Sequence, residues 1–133
     1  MGWHSPTLAG AALLVAASCT IASAQMPKRV GALSTSTIEA IDTRFSDKLV
    51  EPKQGEFGEG TSVELENGVY GISYDYVPAV GRSRTGDKVM TCLSSVPTGC
   101  PKGDNRGKFY TTTNLRTQES WTLPDSQHMC GGA

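Results

Sequence analysis

The dipeptide Asn67-Gly68 constrains the fold more than any other feature, because it separates two runs of alternating apolar and polar residues. The first run covers residues 62–66, and the second begins at Val69. Asn-Gly supplies the two positive φ angles of a type I′ turn, whose twist suits a two-residue loop between antiparallel strands. The pattern therefore predicts a β-hairpin in the middle of the chain.

The second strand of this hairpin carries large side chains on one face and small or polar ones on the other. The large residues are Tyr70, Ile72, Tyr74 and Tyr76. Successive side chains of a strand point to opposite faces of the sheet, so we expect these four to pack together in the core. An exposed tyrosine stripe that binds carbohydrate is the functional alternative.

Three further strands are predicted near the C-terminus, at residues 88–94, 108–115 and 120–123. The last two are joined by a four-residue hairpin turn in which Gln118 takes the left-handed position, at a cost of about 1 kcal/mol. We therefore expect a mainly β fold on the border of α+β. Its core is a small antiparallel sheet of about five strands, with one short N-terminal helix.

That helix is predicted for residues 37–50. Residues 36–39 read Ser-Thr-Ile-Glu, which fits a capping box at a helix start. Four apolar residues then recur at helical spacing: Ile38, Ile41, Phe45 and Leu49. Pro52 ends the pattern, and the glycine-rich residues 51–61 are expected to form a flexible linker. The expected organisation is an N-terminal segment (25–61) followed by a disulfide-containing β domain (62–133).

Residues 1–24 predict a secretory signal peptide. Residues 8–24 carry no charge and end in Ala22-Ser23-Ala24, which is typical of a cleavage site before Gln25. Residues 16–19 read Ala-Ala-Ser-Cys, which offers an alternative in which Cys19 is lipidated. We expect a periplasmic or secreted protein with no transmembrane segment in the mature chain, or a lipoprotein anchored at Cys19.

Removal of the signal peptide leaves three cysteines, so we expect one disulfide and one thiol. Closing Cys92 to Cys100 stabilises by about 2.6 kcal/mol and closing Cys100 to Cys130 by about 3.7 kcal/mol, a difference too small to choose between them. Proximity in sequence favours Cys92–Cys100, whereas a three-strand meander brings Cys130 back towards Cys100. We predict Cys92–Cys100, with Cys130 as the alternative partner. The odd cysteine would allow a dimer.

His128 is the one histidine of the mature chain. Together with the three cysteines it forms a set that zinc or copper accepts, but the tight C-x2-C spacing is missing and the compartment is oxidising. A small secreted enzyme centred on His128 is a further alternative, although no G-x-S-x-G elbow accompanies it. We therefore expect no cofactor or metal, and a binding protein rather than an enzyme.

Charge is unevenly distributed along a chain whose formal net charge is -1. Residues 39–75 hold nine acids and three bases (net -6), and residues 82–116 hold seven bases and two acids (net +5). The basic half contains the proline- and glycine-rich loop 95–107. The predicted binding residues on or beside this loop are Lys102, Arg106, Lys108 and Tyr110.

The function expected from this pattern is that of a binding or envelope-accessory protein. Its partner would be an unknown protein or an acidic envelope component, and the small net charge argues against specific nucleic-acid binding. An alternative is an inhibitor of a hydrolase that presents residues 92–107 as a rigid wedge, because a pre-organised loop loses little entropy on binding.

Overall fold

The computed structural model describes residues 1–2 and 24–132. Cys19 and most of the predicted signal peptide lie outside the described residues. The described part forms six strands and one short helix, which confirms the expectation of a mainly β protein and adds one strand to the expected five. In chain order these are β1 (Leu33–Asp42), β2 (Thr61–Leu65), β3 (Tyr70–Ser73), α1 (Pro78–Gly81), β4 (Lys88–Ser95), β5 (Phe109–Asn114) and β6 (Ser120–Pro124).

All strands belong to one antiparallel sheet with the order β3-β2-β1-β4-β5-β6. The first strand in the chain is thus central in the sheet. Its first half, from Leu33 to Thr37, pairs with β4, and its second half, from Ile38 to Asp42, pairs with β2. Two meanders therefore meet at β1. The sheet curls over, so that the edge strands β3 and β6 come to face each other.

The concave side of the curl holds the hydrophobic core, to which every strand except β3 contributes a buried apolar side chain. These residues, with contributions from the β2–β3 turn and α1, are Ile38, Val63, Leu65, Val69, Val80, Val89, Leu93, Tyr110, Trp121 and Leu123. The β3 strand contributes Gly71, where a Cβ would lie 3.1 Å from the Cβ of Leu123 on β6. Glycine at this position lets the two edge strands pack closely. No helix in residues 1–2 and 24–132 is long and apolar enough to cross a bilayer.

The predicted helix at residues 37–50 is wrong, because residues 33–42 form β1 and the chain then enters a loop. A β-bulge between Ile38 and Ala40 explains the error. Ile38 pairs with Leu65 and Ile41 with Val63, so the extra residue gives β1 a spacing of three between core-facing side chains where β2 has two. That spacing imitates one turn of a helix.

The hairpin at Asn67-Gly68 is present, but its predicted two-residue loop is wrong. The N–H of Leu65 donates to the carbonyl of Val69 (2.9 Å), and the N–H of Gly68 donates to the carbonyl of Leu65 (2.8 Å). The loop therefore has three residues, and Gly68 alone takes the left-handed conformation, with φ +88°. This is a turn closed by a glycine bulge, the second common hairpin solution.

The predicted burial of the tyrosine face is confirmed for Ile72 but not for the three tyrosines. Ile72 is buried (3% exposed), but β3 ends at Ser73 and the ring of Tyr74 beyond it is 51% exposed. Tyr70 and Tyr76 are half-buried. Gly71 pairs with the core residue Val63, so Gly71 is on the concave face of β3. The side chains of Tyr70 and Ile72 are on the opposite face.

The turn between β5 and β6 has the predicted four residues. Its left-handed position is Gln118, at φ 60°, and no other non-glycine residue of the described chain has a positive φ. The fully buried Asn114 holds this turn, because its Oδ1 accepts the N–H of Arg116 (2.8 Å). Its amide nitrogen donates to Ser83 Oγ and Asp87 Oδ2, both at 2.8 Å, which ties the turn to the end of α1 and the start of β4.

Candidate binding surface

The loop 95–107 connects β4 to β5 and contains a tight turn at residues 101–104, which we call its tip. The N–H of Asp104 donates to the carbonyl of Pro101 (3.0 Å), and Gly103 has φ +84°. A positive φ at the third position is typical of a type II turn, which places Lys102 at the second position. Lys102 is exposed and makes no hydrogen bond or ion pair with any residue that the structure describes.

A disulfide joins this loop to the C-terminal tail. It links Cys100 to Cys130, whose Cα atoms are 5.3 Å apart, so the predicted Cys92–Cys100 pairing is wrong and the alternative partner is the observed one. The strand order is the reason: β6 runs antiparallel to β5, so its end returns the chain to the point where the loop meets β5. Cys92 lies within β4, half-buried, and is the free cysteine of the described residues.

Asp104 fixes the second half of the loop. Its carboxylate accepts hydrogen bonds from Nε and Nη2 of Arg106, both at 2.9 Å, and from the backbone N–H of Gly131 in the tail (2.9 Å). The hydrogen bonds from Arg106 hold the pKa of Asp104 well below its usual range. Arg106 also donates to the carbonyl of Gly132 (3.1 Å), so its side chain fastens the loop to the tail.

Asp125, just beyond β6, fixes the end of the loop that leads into β5. Its Oδ1 accepts the N–H groups of Gly107 (2.7 Å) and Lys108 (3.0 Å). The Lys108 ammonium lies 3.4 Å from Oδ2 of the same carboxylate and donates to the carbonyl of Asn105 (3.0 Å). The loop is therefore held by one covalent bond and several polar contacts within the chain.

The four predicted binding residues thus have different positions. Lys102 is exposed in the turn at residues 101–104. Arg106 and Lys108 are beside it, but both are paired with carboxylates of this chain and serve to hold the loop. Tyr110, the fourth predicted binding residue, is a core residue with 4% of its area exposed, which leaves little of it for a partner to contact. Burial raises the pKa of its hydroxyl.

Two other arginines of the basic half form ion pairs with carboxylates of the same chain. Arg82 forms a bidentate ion pair with Glu119, which lowers the pKa of that carboxyl. Arg116 donates to both oxygens of Asp87 at 2.8 Å and thereby holds the pKa of Asp87 well below its usual range. Residues 82–116 carry a net charge of +5, but most of their cationic side chains are therefore paired with carboxylates.

The alternatives based on His128 gain no support from its surroundings. The residue is exposed, and its imidazole makes no hydrogen bond to any residue within the described ranges. The nearby carboxylate of Asp125 is used by the loop backbone. The proposed Cys3His metal set loses two members, since Cys100 and Cys130 are bonded to each other.

A second exposed feature, which the sequence pattern does not indicate, is the loop of residues 43–60 between β1 and β2. Its neck is closed by the hydrogen bond from the Thr43 hydroxyl to Glu59 (3.0 Å). It displays Phe45, Val50 and Phe57, which are 74%, 63% and 101% exposed. Phe45 is one of the four residues at helical spacing in the predicted helix, and in the structure its ring is exposed.

The 95–107 loop thus combines a backbone fixed by contacts within the chain with one exposed ammonium group, that of Lys102. No known protein family, curated protein or solved structure matches the chain.

Proposed function

We propose that the protein is a small exported β domain that binds a partner through the tip of the 95–107 loop. The observation that carries the proposal is that the loop is fixed within the chain while one of its cations is left exposed. The loop is tied to the tail by the Cys100–Cys130 disulfide and by Asp104 and Asp125, whereas Lys102 is exposed on a defined turn. A loop ordered before binding loses little conformational entropy when a partner arrives.

The charge at the tip favours an acidic partner. Arg106 and Lys108 are already paired with carboxylates, which leaves Lys102 as the cation of the loop that a partner meets. An acidic protein surface or an acidic component of the cell envelope supplies the complementary group. Export is supported by the predicted signal peptide and by the disulfide, since disulfides persist mainly in oxidising compartments.

The substitution Lys102→Glu tests the proposal, with the purified protein as bait in an envelope extract and the captured partner then titrated. We expect about a tenfold loss of affinity, which corresponds to about 1.4 kcal/mol. Binding of the unaltered protein should also weaken at 1 M salt, where the screening length falls to about 3 Å. Arg84→Glu is the matched control, because it makes the same charge change at an exposed site away from the loop. Equal affinity of the Lys102→Glu and Arg84→Glu proteins would contradict the proposal.

Inhibition of a hydrolase is the second candidate, and the rigidity of the same loop favours it. An inhibitor inserts a backbone segment that resists deformation, and the turn at Pro101–Asp104 beside a disulfide has that property. Assay of the captured partner for hydrolase activity distinguishes the two functions, because a simple binding module leaves that activity unchanged.

A further inference from the structure

A second site lies where the ends of β3 and β6 approach each other across the curl of the sheet. The cavity there has a volume of about 290 Å³, close to the lower end of the range of about 300–1,000 Å³ for ligand pockets. It is separate from the 95–107 loop. Apolar side chains of Ile72, Leu123 and Pro124 contribute part of its lining, and the remainder is aromatic and polar.

Tyr74 provides the aromatic wall of this cavity, and its ring is held in place although it is half exposed. The guanidinium carbon of Arg44 lies 4.1 Å from the ring centroid, which is a cation–π contact. The Tyr74 hydroxyl is 3.4 Å from the carbonyl of Gln127, and the Gln127 side-chain oxygen accepts a hydrogen bond from Arg44 (3.1 Å). Arg44, Tyr74 and Gln127 thus connect β3 to the segment after β6 and fix the ring.

The polar groups of the cavity are those that recognise hydroxyl groups. Asp75 is its one charged lining residue, and the Asp75 carboxylate makes no hydrogen bond or ion pair with the residues that the structure describes. An ionised carboxylate accepts several hydrogen bonds, and a glutamine amide both donates and accepts. The other polar residues of the lining are Ser73, Thr122, Ser126 and Gln127.

We propose that this cavity binds one unit of a neutral, hydroxyl-rich sugar. An aromatic ring offers an apolar face to the C–H groups of a pyranose, and Asp75 would accept hydrogen bonds from neighbouring hydroxyls. The volume limits the occupant to about one ring, with the rest of an oligosaccharide outside. A sugar acid is excluded from this site, because its carboxylate would meet that of Asp75.

Titration of the purified protein with three neutral hexasaccharides (of glucose, N-acetylglucosamine and mannose units) and with hexagalacturonate tests this site by calorimetry. We expect at least one neutral sugar to bind and the acidic one not to bind. Tyr74→Ala should lower the affinity at least tenfold, and Asp75→Asn about fivefold. Tyr74→Phe keeps the ring and should retain binding within about threefold.

Phe45→Ala is the control. The guanidinium carbon of Arg44 lies 4.8 Å from the centroid of the Phe45 ring, but Phe45 does not line the cavity. The affinity of this variant should match that of the unaltered protein. Asp75→Asn serves as the independent variant if Tyr74→Ala does not fold by circular dichroism. Absence of binding to all three neutral sugars at 10 mM, or equal losses in Phe45→Ala and Tyr74→Ala, would overturn the proposal.

Discussion

Gln118 is the residue at which local backbone preference and the observed fold disagree most clearly. Its φ of 60° places a side chain with a Cβ in the left-handed region, where crowding costs about 1–2 kcal/mol. Its amide compensates in part by donating to the carbonyl of Leu115 (2.8 Å). The sequence predicted both the turn length and this position, because a four-residue hairpin loop requires the conformation whichever residue occupies it.

We expect Gln118→Gly to be more stable than Gln118→Ala by about 1 kcal/mol. Both variants lose the side-chain hydrogen bond, so the difference isolates the Cβ, reduced somewhat by the larger unfolded-state entropy of glycine. Urea unfolding monitored by tryptophan fluorescence measures it, through a shift in midpoint at constant slope. Equal midpoints would show that the turn does not carry this strain in solution.

At the scale of elements, β1 is the strand that the sequence wrongly predicts as a helix, whereas it predicts the other strands. The strands in residues 62–73 and 88–124 were found from alternation and turn residues, which are local signals. The bulge in β1 is not local: it depends on pairing with both β2 and β4, which a single segment does not reveal. Tertiary pairing therefore overrode the helical spacing of Ile38 and Ile41.

The loop 95–107 was identified from its proline and glycine residues, but the ion pairs of its charged residues were not predicted. Sequence shows that Lys102, Arg106 and Lys108 are cationic and does not show which of them meet a carboxylate. Asp104 and Asp125 decide this, and Asp125 is distant from the loop in sequence. The pairing of β6 with β5 also brings Cys130 close to Cys100, which is why Cys130 and not Cys92 is its disulfide partner.

Removal of the disulfide should destabilise this element strongly. We expect the double substitution Cys100→Ser and Cys130→Ser to lower the free energy of unfolding by about 2–5 kcal/mol, since the unfolded chain gains the freedom of the loop that the bond closes. Hydrogen exchange in residues 95–107 should increase, although Asp104 and Asp125 preserve part of the order. Cys92→Ser is the control and should change stability by less than about 1 kcal/mol. A similar effect of both changes would mean that the bond contributes little.

For the whole molecule, we expect the free energy of unfolding to decrease at acid pH. The folded-state pKa values of Asp87 and Asp104 are lowered by hydrogen bonds from Arg116 and Arg106 respectively. An aspartate whose pKa is depressed by folding stabilises the protein above its unfolded value of about 3.9, and this contribution is lost as the pH falls below that value. The urea midpoint should therefore be nearly constant between about pH 5 and 8 and decrease progressively below about pH 4.

The double substitution Asp87→Asn and Asp104→Asn identifies the groups responsible. This variant should be less stable at pH 7, because an amide cannot replace the charged partner of either arginine. Its stability should also fall less steeply below pH 4, since two of the linked protonation sites are missing. Parallel pH curves for the variant and the unaltered protein would assign the acid sensitivity to other carboxyl groups.

The curl of the sheet has a consequence for how copies of this chain behave when crowded. An unpaired strand edge is a template for pairing with another molecule and hence for aggregation. Here the two edge strands, β3 with four residues and β6 with five, are short and face each other with Gly71 against Leu123. Pro124 at the end of β6 also lacks the N–H that a new strand would need. The short edges and Pro124 thus leave few backbone groups through which one copy could recruit the next into a growing sheet.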